Sequence, residues 1–149
     1  MKLSFLPIVL LFSSLPAFAC PDISGTYLCG KTSFRPDTIY TYSRRAEGAT
    51  WLYKVTARIS GDRDDSSSFE FLTDGAEREV ADAVTGRRLL VQAFCSESTV
   101  QVIGTASFDQ PRPIRFSEVL SLDANGDLYD VSDTASGHTM EEVCTRIHE

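Results

Sequence analysis

Four cysteines carry the most definite chemistry in this 149-residue chain: Cys20, Cys29, Cys95 and Cys144. No CxxC pair occurs, so a thiolate metal site is not expected, and two disulfides are. Histidine occurs only as His138 and His148. His138 follows Gly137 in a turn with Asp133 nearby, His148 is the penultimate residue, and no Gly-x-Ser-x-Gly elbow exists. An acid, base and nucleophile set is therefore not expected, nor is a cofactor, and the chain reads as a non-enzyme. Asp123, Asn125 and Asp127 begin a calcium-loop spacing. Leu128 then stands where that loop needs glycine, and Thr134 where it needs a bidentate glutamate, so a hairpin turn explains the residues better. Asp62, Asp64 and Asp65 lie in a polar stretch, Gly61–Ser68, that reads as a solvated loop.

The compartment follows from the first nineteen residues. Lys2 precedes an almost wholly apolar run from Leu3 to Leu15, and Ala17-Phe18-Ala19 is a small-x-small cleavage site. The run is too short for a membrane anchor, so 1–19 is expected to be a signal peptide and 20–149 a single exported domain. Cys20 would be the first mature residue. A lipoprotein signal favours leucine where Ala17 stands and a small residue where Phe18 stands, and lipidation would leave an odd number of thiols. A soluble periplasmic or secreted protein is preferred to one anchored at Cys20. Removing nineteen residues from 149 leaves 130, enough for one domain. Loss of Lys2 takes the net charge from −7 to −8, which disfavours nucleic acid and anionic lipid as partners. A monomer is expected.

The remaining chain is strand-like. A strand opens at Ile23 and runs to Cys29, and Thr38–Ser43 makes the next. Trp51, Tyr53, Val55, Ala57 and Ile59 then alternate with Leu52, Lys54, Thr56 and Arg58. Phe69–Leu72, Arg88–Cys95, Thr99–Ser107, Ile114–Leu122, Leu128–Val131 and His138–Ile147 follow, separated by turn residues such as Asn125-Gly126. Residues 76–83 fit a strand or two helical turns. The pattern predicts an all-β meander of eight to ten antiparallel strands closed into a barrel, with a β-sandwich as the runner-up.

Gly25-Thr26-Tyr27 on the opening strand resembles the Gly-x-Trp motif of lipocalins, avidins and related calycin barrels, with tyrosine for tryptophan. The resemblance implies that Tyr27 packs the closed end of the barrel beside Gly25 and that Arg146, on the last strand, covers it. The chain ends just after that strand, where true lipocalins continue into a helix. The pattern as a whole resembles a lipocalin-like domain of small exported bacterial proteins.

In a closed meander the first and last strands are antiparallel neighbours, which brings Cys29 towards Cys144. Cys20 and Cys95 then both fall at the closed end. That favours Cys29–Cys144 with Cys20–Cys95; the alternative is Cys20–Cys29 with Cys95–Cys144, which needs a tight turn near Ser24-Gly25. The aromatics Tyr40, Tyr42, Trp51, Tyr53, Phe69, Phe71, Phe94, Phe108, Phe116 and Tyr129 are spread over successive strands, where alternation sends some inward. They fill the lumen or line a ligand site within it. The expected function is binding of a small apolar ligand, lined by Trp51, Tyr53, Phe69 and Phe71. The alternative is a protein-interaction or inhibitor role for the 61–68 and 74–86 segments.

Overall fold

The computed structural model describes residues 20–30, 36–60, 66–134 and 137–148. The signal peptide expected over 1–19 lies outside them, as do Asp62, Asp64 and Asp65. The described residues contain no helix, and hence none long and apolar enough to cross a membrane.

The described residues form ten strands: β1 (Gly25–Cys29), β2 (Thr38–Glu47), β3 (Thr50–Ile59), β4 (Ser66–Leu72), β5 (Arg78–Ala81), β6 (Arg88–Cys95), β7 (Val100–Ala106), β8 (Ile114–Leu122), β9 (Leu128–Thr134) and β10 (Thr139–Ile147). They make one antiparallel sheet in the order β4-β3-β2-β1-β10-β9-β8-β7-β6-β5, a meander in which β1 and β10 are neighbours. Residues 76–83 contribute a short strand rather than helical turns. The polar stretch before Phe69 is already strand from Ser66, because Ser66, Ser67 and Ser68 pair with Arg58, Ala57 and Thr56. Likewise β2 continues past Ser43 to Glu47, where pairing with β3 holds residues whose own pattern is not strand-like.

The sheet curls until its two edges, β4 and β5, nearly meet. They are not laddered together. The Ser68 N–H donates to the Asp82 carboxylate at 3.0 Å, and Ser68 O accepts from Ala83 N–H at 2.6 Å. Asp82 is buried and also accepts from Val84 N–H (2.8 Å) and Thr85 N–H (3.2 Å). Burial pushes its carboxyl up, but these hydrogen bonds to the charged form win, and the net shift is downward. The barrel is nearly closed, and this clasp bridges the gap.

One end is sealed by residues 20–24, which cross the barrel mouth below the β2–β3 and β6–β7 turns. Four side chains from the wall each donate to a different carbonyl of this segment. Arg44 Nη1 reaches Cys20 O at 2.6 Å, Tyr53 Oη reaches Pro21 O at 2.6 Å, Tyr27 Oη reaches Ile23 O at 3.1 Å, and Arg146 Nη2 reaches Ser24 O at 2.9 Å. A segment without a ladder must satisfy its backbone in some other way, and these four donors do it. Arg44 also pairs with Asp22 at 3.2 Å. Hydrogen bonds from Ser24, with help from Arg44, hold the Asp22 carboxyl below its usual range despite partial burial. Ile23, Tyr27 and Tyr53 have no exposed surface, and burial raises both phenols.

The two disulfides are Cys20–Cys95, which ties the sealing segment to β6, and Cys29–Cys144, which ties β1 to β10. Asp123, Asn125 and Asp127 form the β8–β9 turn. Asp123 Oδ1 accepts from Asn125 N–H (2.8 Å) and Asp127 N–H (2.9 Å), and Asp127 Oδ1 accepts Arg146 N–H at 2.7 Å.

Candidate ligand-binding site

The antiparallel register fixes which side chains face inward, since paired residues share a face. From Tyr27 the inner face runs to Tyr40, Ala57 and Ser67 on one side, and to Arg146 on the other. Next to it run Tyr42, Val55 and Phe69, then Tyr53 and Phe71 nearer the sealed end. Across the barrel, Val102 pairs with Ala93 and Glu118, and Gly104 pairs with Val91 and Phe116.

Two aromatic ladders rise from the sealed end. In one, Tyr53 stacks on Phe71 with centroids 5.7 Å apart, and Phe71 meets Phe69 at 6.3 Å. In the other, Tyr27 meets Tyr42 edge-on at 6.2 Å, and Tyr42 stacks on Tyr40 at 6.2 Å. Above their bases lies a cavity of about 220 Å³. Its aromatic wall is Tyr40, Tyr42, Phe69, Phe71 and Phe116, and its aliphatic wall is Val55, Leu89, Val102 and Leu120. Ser67, Ala57 and Glu118 complete it, so one of the twelve described residues that line it is charged. Since an apolar cavity of roughly 150 Å³ admits benzene, this one suits a single ring with a short substituent.

Gly104 shapes the cavity from outside it. A Cβ at that position would sit 2.1 Å from the Phe116 ring, so the ring lies directly over the glycine. A glycine inside a strand marks such close approach, and this signal was present in Val102-Ile103-Gly104-Thr105. What approaches it emerges only with the register.

The four expected lining residues separate. Phe69 and Phe71 line the lumen cavity. Tyr53 is fully buried beneath it and spends its hydroxyl on Pro21. Trp51 lies one step further along the same face, past Tyr53 and beyond the lumen, with the Arg44 guanidinium 4.2 Å from its ring centroid. Alternation along β3 identified the face but not the axial position of the lumen. Trp51 instead helps to line a second cleft of about 530 Å³ at the sealed end, with Thr73, Gly75, Phe94 and the Cys20–Cys95 disulfide. Among the other aromatics, Tyr129 is on the outer surface and donates to Glu141 at 2.7 Å, and Phe108 lies under Arg88.

At the sealed end, Gly25, Tyr27 and Arg146 come together. The Arg146 guanidinium is 5.8 Å from the Tyr27 ring centroid. A Cβ on Gly25 would lie 3.0 Å from Tyr27 Oη and 3.1 Å from Arg146 Nη2. A side chain there would crowd both groups, and the φ of 157° is one that L side chains rarely adopt.

Glu118, Asp130 and Glu142 were not singled out by the sequence, yet all three face inward. Asp130 is buried and stands directly opposite Glu142 on β10 and Leu120 on β8. Glu142 lies beside the Cys29 and Cys144 sulfurs, but these are joined to each other and are not thiolate ligands. His138 and His148 are both exposed. No protein-family model matches the chain, and a search of curated proteins finds no match either.

Proposed function

We propose that this chain is an exported, lipocalin-like protein that binds a small ligand in its barrel lumen and does no chemistry on it. The observation that carries the proposal is the cavity of about 220 Å³ above the Tyr53–Phe71 and Tyr27–Tyr42 contacts, walled by five aromatic rings. A barrel sealed at one end and stapled by two disulfides gives that cavity a rigid frame. The signal-peptide reading of 1–19 and the disulfides together favour an oxidising, extracytoplasmic compartment. The lipocalin-like reading draws on the Gly25, Tyr27 and Arg146 cluster, and a monomer remains the expected state.

Native mass spectrometry of the protein purified from its own host's envelope or medium tests this. A reproducible bound mass lost on denaturation supports the carrier reading. A uniformly apo mass, together with failure of small aromatic compounds to bind, rejects it.

A second reading has its own observation. The 530 Å³ cleft beside Trp51 presents Phe94, which is 38% exposed, and residues Asp74 and Gly75 of the β4–β5 connection. An exposed aromatic beside an open cleft suits a protein partner's side chain. Partner capture abolished by Phe94→Ala would favour it.

A further inference from the structure

The rings that wall the lumen leave a gap of definite shape between them. We infer that the lumen takes one flat aromatic ring and rejects a fused pair, and that Phe116, lying over Gly104, sets this limit; the inference rests on the lumen-binding reading above.

The gap comes from the register. Val55 on β3 pairs with Tyr42 on β2 and with Phe69 on β4, and Ala57 pairs with Tyr40 and Ser67. The middle strand thus offers small side chains to the lumen while both neighbours raise rings beside it. Adjacent strands are about 4.8 Å apart, so Tyr42 and Phe69 rise from strands about 10 Å apart. A ring held midway over Val55 would lie about 5 Å from each, within the roughly 4.5–7 Å range of aromatic pairs.

Phe116 bounds this slot from the far wall. Its strand, β8, is five strands from β3 in the sheet order, so the ring stands across the barrel from Val55 and Ala57. The far edge of the ring lies over Gly104 on β7, where an added Cβ would overlap Cζ, Cε1 and Cε2. Gly104 belongs to the inner face, with Val91 and Phe116 as its cross-strand partners, so that Cβ would point into the barrel. The overlap is with the end of one side chain and not with backbone. A methyl group at 104 is therefore relieved by lifting the ring, and a ring lifted off the wall enters the cavity it lines. Glycine lets Phe116 lie back far enough for one ligand ring. Phe116 itself excludes a second: an apolar cavity of roughly 150 Å³ admits benzene, and the 220 Å³ here leaves space for a short chain on that ring, not for another ring fused to it.

The test uses the mature, disulfide-bonded protein and two neutral probes, phenethyl alcohol and naphthylethanol, by isothermal titration calorimetry. The parent should bind phenethyl alcohol at least about tenfold more tightly than naphthylethanol, because overpacking a filled cavity costs on that scale. Phe116→Ala should raise the affinity for naphthylethanol at least about tenfold. Gly104→Ala should weaken phenethyl alcohol by a similar factor. The double variant Gly104→Ala/Phe116→Ala should bind naphthylethanol as Phe116→Ala does, because no ring is left to displace. Ala57→Phe, which fills the slot from its floor, should abolish binding of both probes. Far-UV circular dichroism checks that each variant folds, and the comparison of the parent with Phe116→Ala stands by itself if Gly104→Ala does not.

Naphthylethanol binding to the parent as tightly as phenethyl alcohol, no gain of it in Phe116→Ala, or undiminished phenethyl alcohol binding in Gly104→Ala would each overturn the size limit and leave lumen binding standing. Binding that survives Ala57→Phe, or no binding of either probe to the parent, would overturn both.

Discussion

Ser68 on β4 and Asp82 just beyond β5 are joined by one hydrogen bond, from the Ser68 N–H to the Asp82 carboxylate at 3.0 Å, and this contact bridges the two edges of the sheet. With Ala83 N–H returning to Ser68 O, the gap between the strands is fastened at one level. The five-residue connection between the two strands turns aside to hydrogen-bond β6, with Gly75 N–H on Ala93 O and Gln92 Nε2 on Gly75 O. Asp82 thus does with one side chain what a ladder does elsewhere.

Asp82→Ala should leave three backbone N–H groups without their acceptor and cost about 2 kcal/mol or more. Asp82→Asn keeps one acceptor oxygen and should cost less. Urea unfolding of both variants measures this, and a loss below about 0.5 kcal/mol for alanine would mean that the gap needs no clasp.

Acid should destabilise the fold over a defined window. Asp22 and Asp82 are held below the ordinary carboxylate range, and Asp74, in its ion pair with Arg78, is held at about 2. A carboxyl whose folded pKa lies below its unfolded value, about 3.9, stabilises fully above that value and loses the contribution as pH falls through the folded one. Asp74 is partly exposed, so solvent screening makes its share small, and buried Asp82 should dominate. Stability is expected to be flat from pH 7 to about 5 and to decline from about 4 towards 2, with a shallower decline in Asp82→Asn. Urea midpoints across that range give the curve; a variant limb as steep as the parent's contradicts the assignment.

The two disulfides should open in order. Cys29 and Cys144 have no exposed surface, whereas Cys95 is only partly buried beside the Trp51 cleft. Attack needs access to a sulfur, so a limiting reductant under native conditions should free Cys20 and Cys95 first. Alkylation followed by mass spectrometry reads the order directly. Both bonds close long loops, of 75 and 115 residues, and replacing either pair by alanine should cost about 2–5 kcal/mol.

Gly25→Ala should act through its neighbours. The added Cβ crowds Tyr27 Oη and Arg146 Nη2, and overpacking of this kind costs about 1–3 kcal/mol. Combined with Arg146→Ala the penalty should shrink, and a double-mutant cycle by chemical denaturation measures the coupling. Tyr27→Ala, which removes a fully buried ring and the bond to Ile23 O, should cost about 3 kcal/mol. Additive Gly25 and Arg146 effects would show that the three residues do not act as a unit.

Much of this architecture was written in local patterns. Alternation located the strands, Asn125-Gly126 located a hairpin, and the adjacency of first and last strands placed Cys29 near Cys144. The parts that escaped are non-local. Four of the carbonyls of residues 20–24 are satisfied by side chains up to 122 positions away, so periodicity read Ile23 as strand when it belongs to the seal. Glu118 interrupts an apolar alternation between Phe116 and Leu120, and its place in the lumen wall follows only from its pairing with Val102 and Ser132. Trp51 shares a face with Tyr53 and Val55, but distance along the barrel axis assigns it to a different cavity.

The most direct measurement is an aromatic 1H–13C NMR titration of the mature, fully oxidised protein with a small single-ring aromatic compound such as phenethyl alcohol. Shift changes concentrated on Phe69, Phe71 and Phe116, with Trp51 and Phe94 unmoved, are the expected result and would place the ligand in the lumen. Changes centred on Trp51 and Phe94 would move the site to the cleft at the sealed end and contradict the lumen as the binding site.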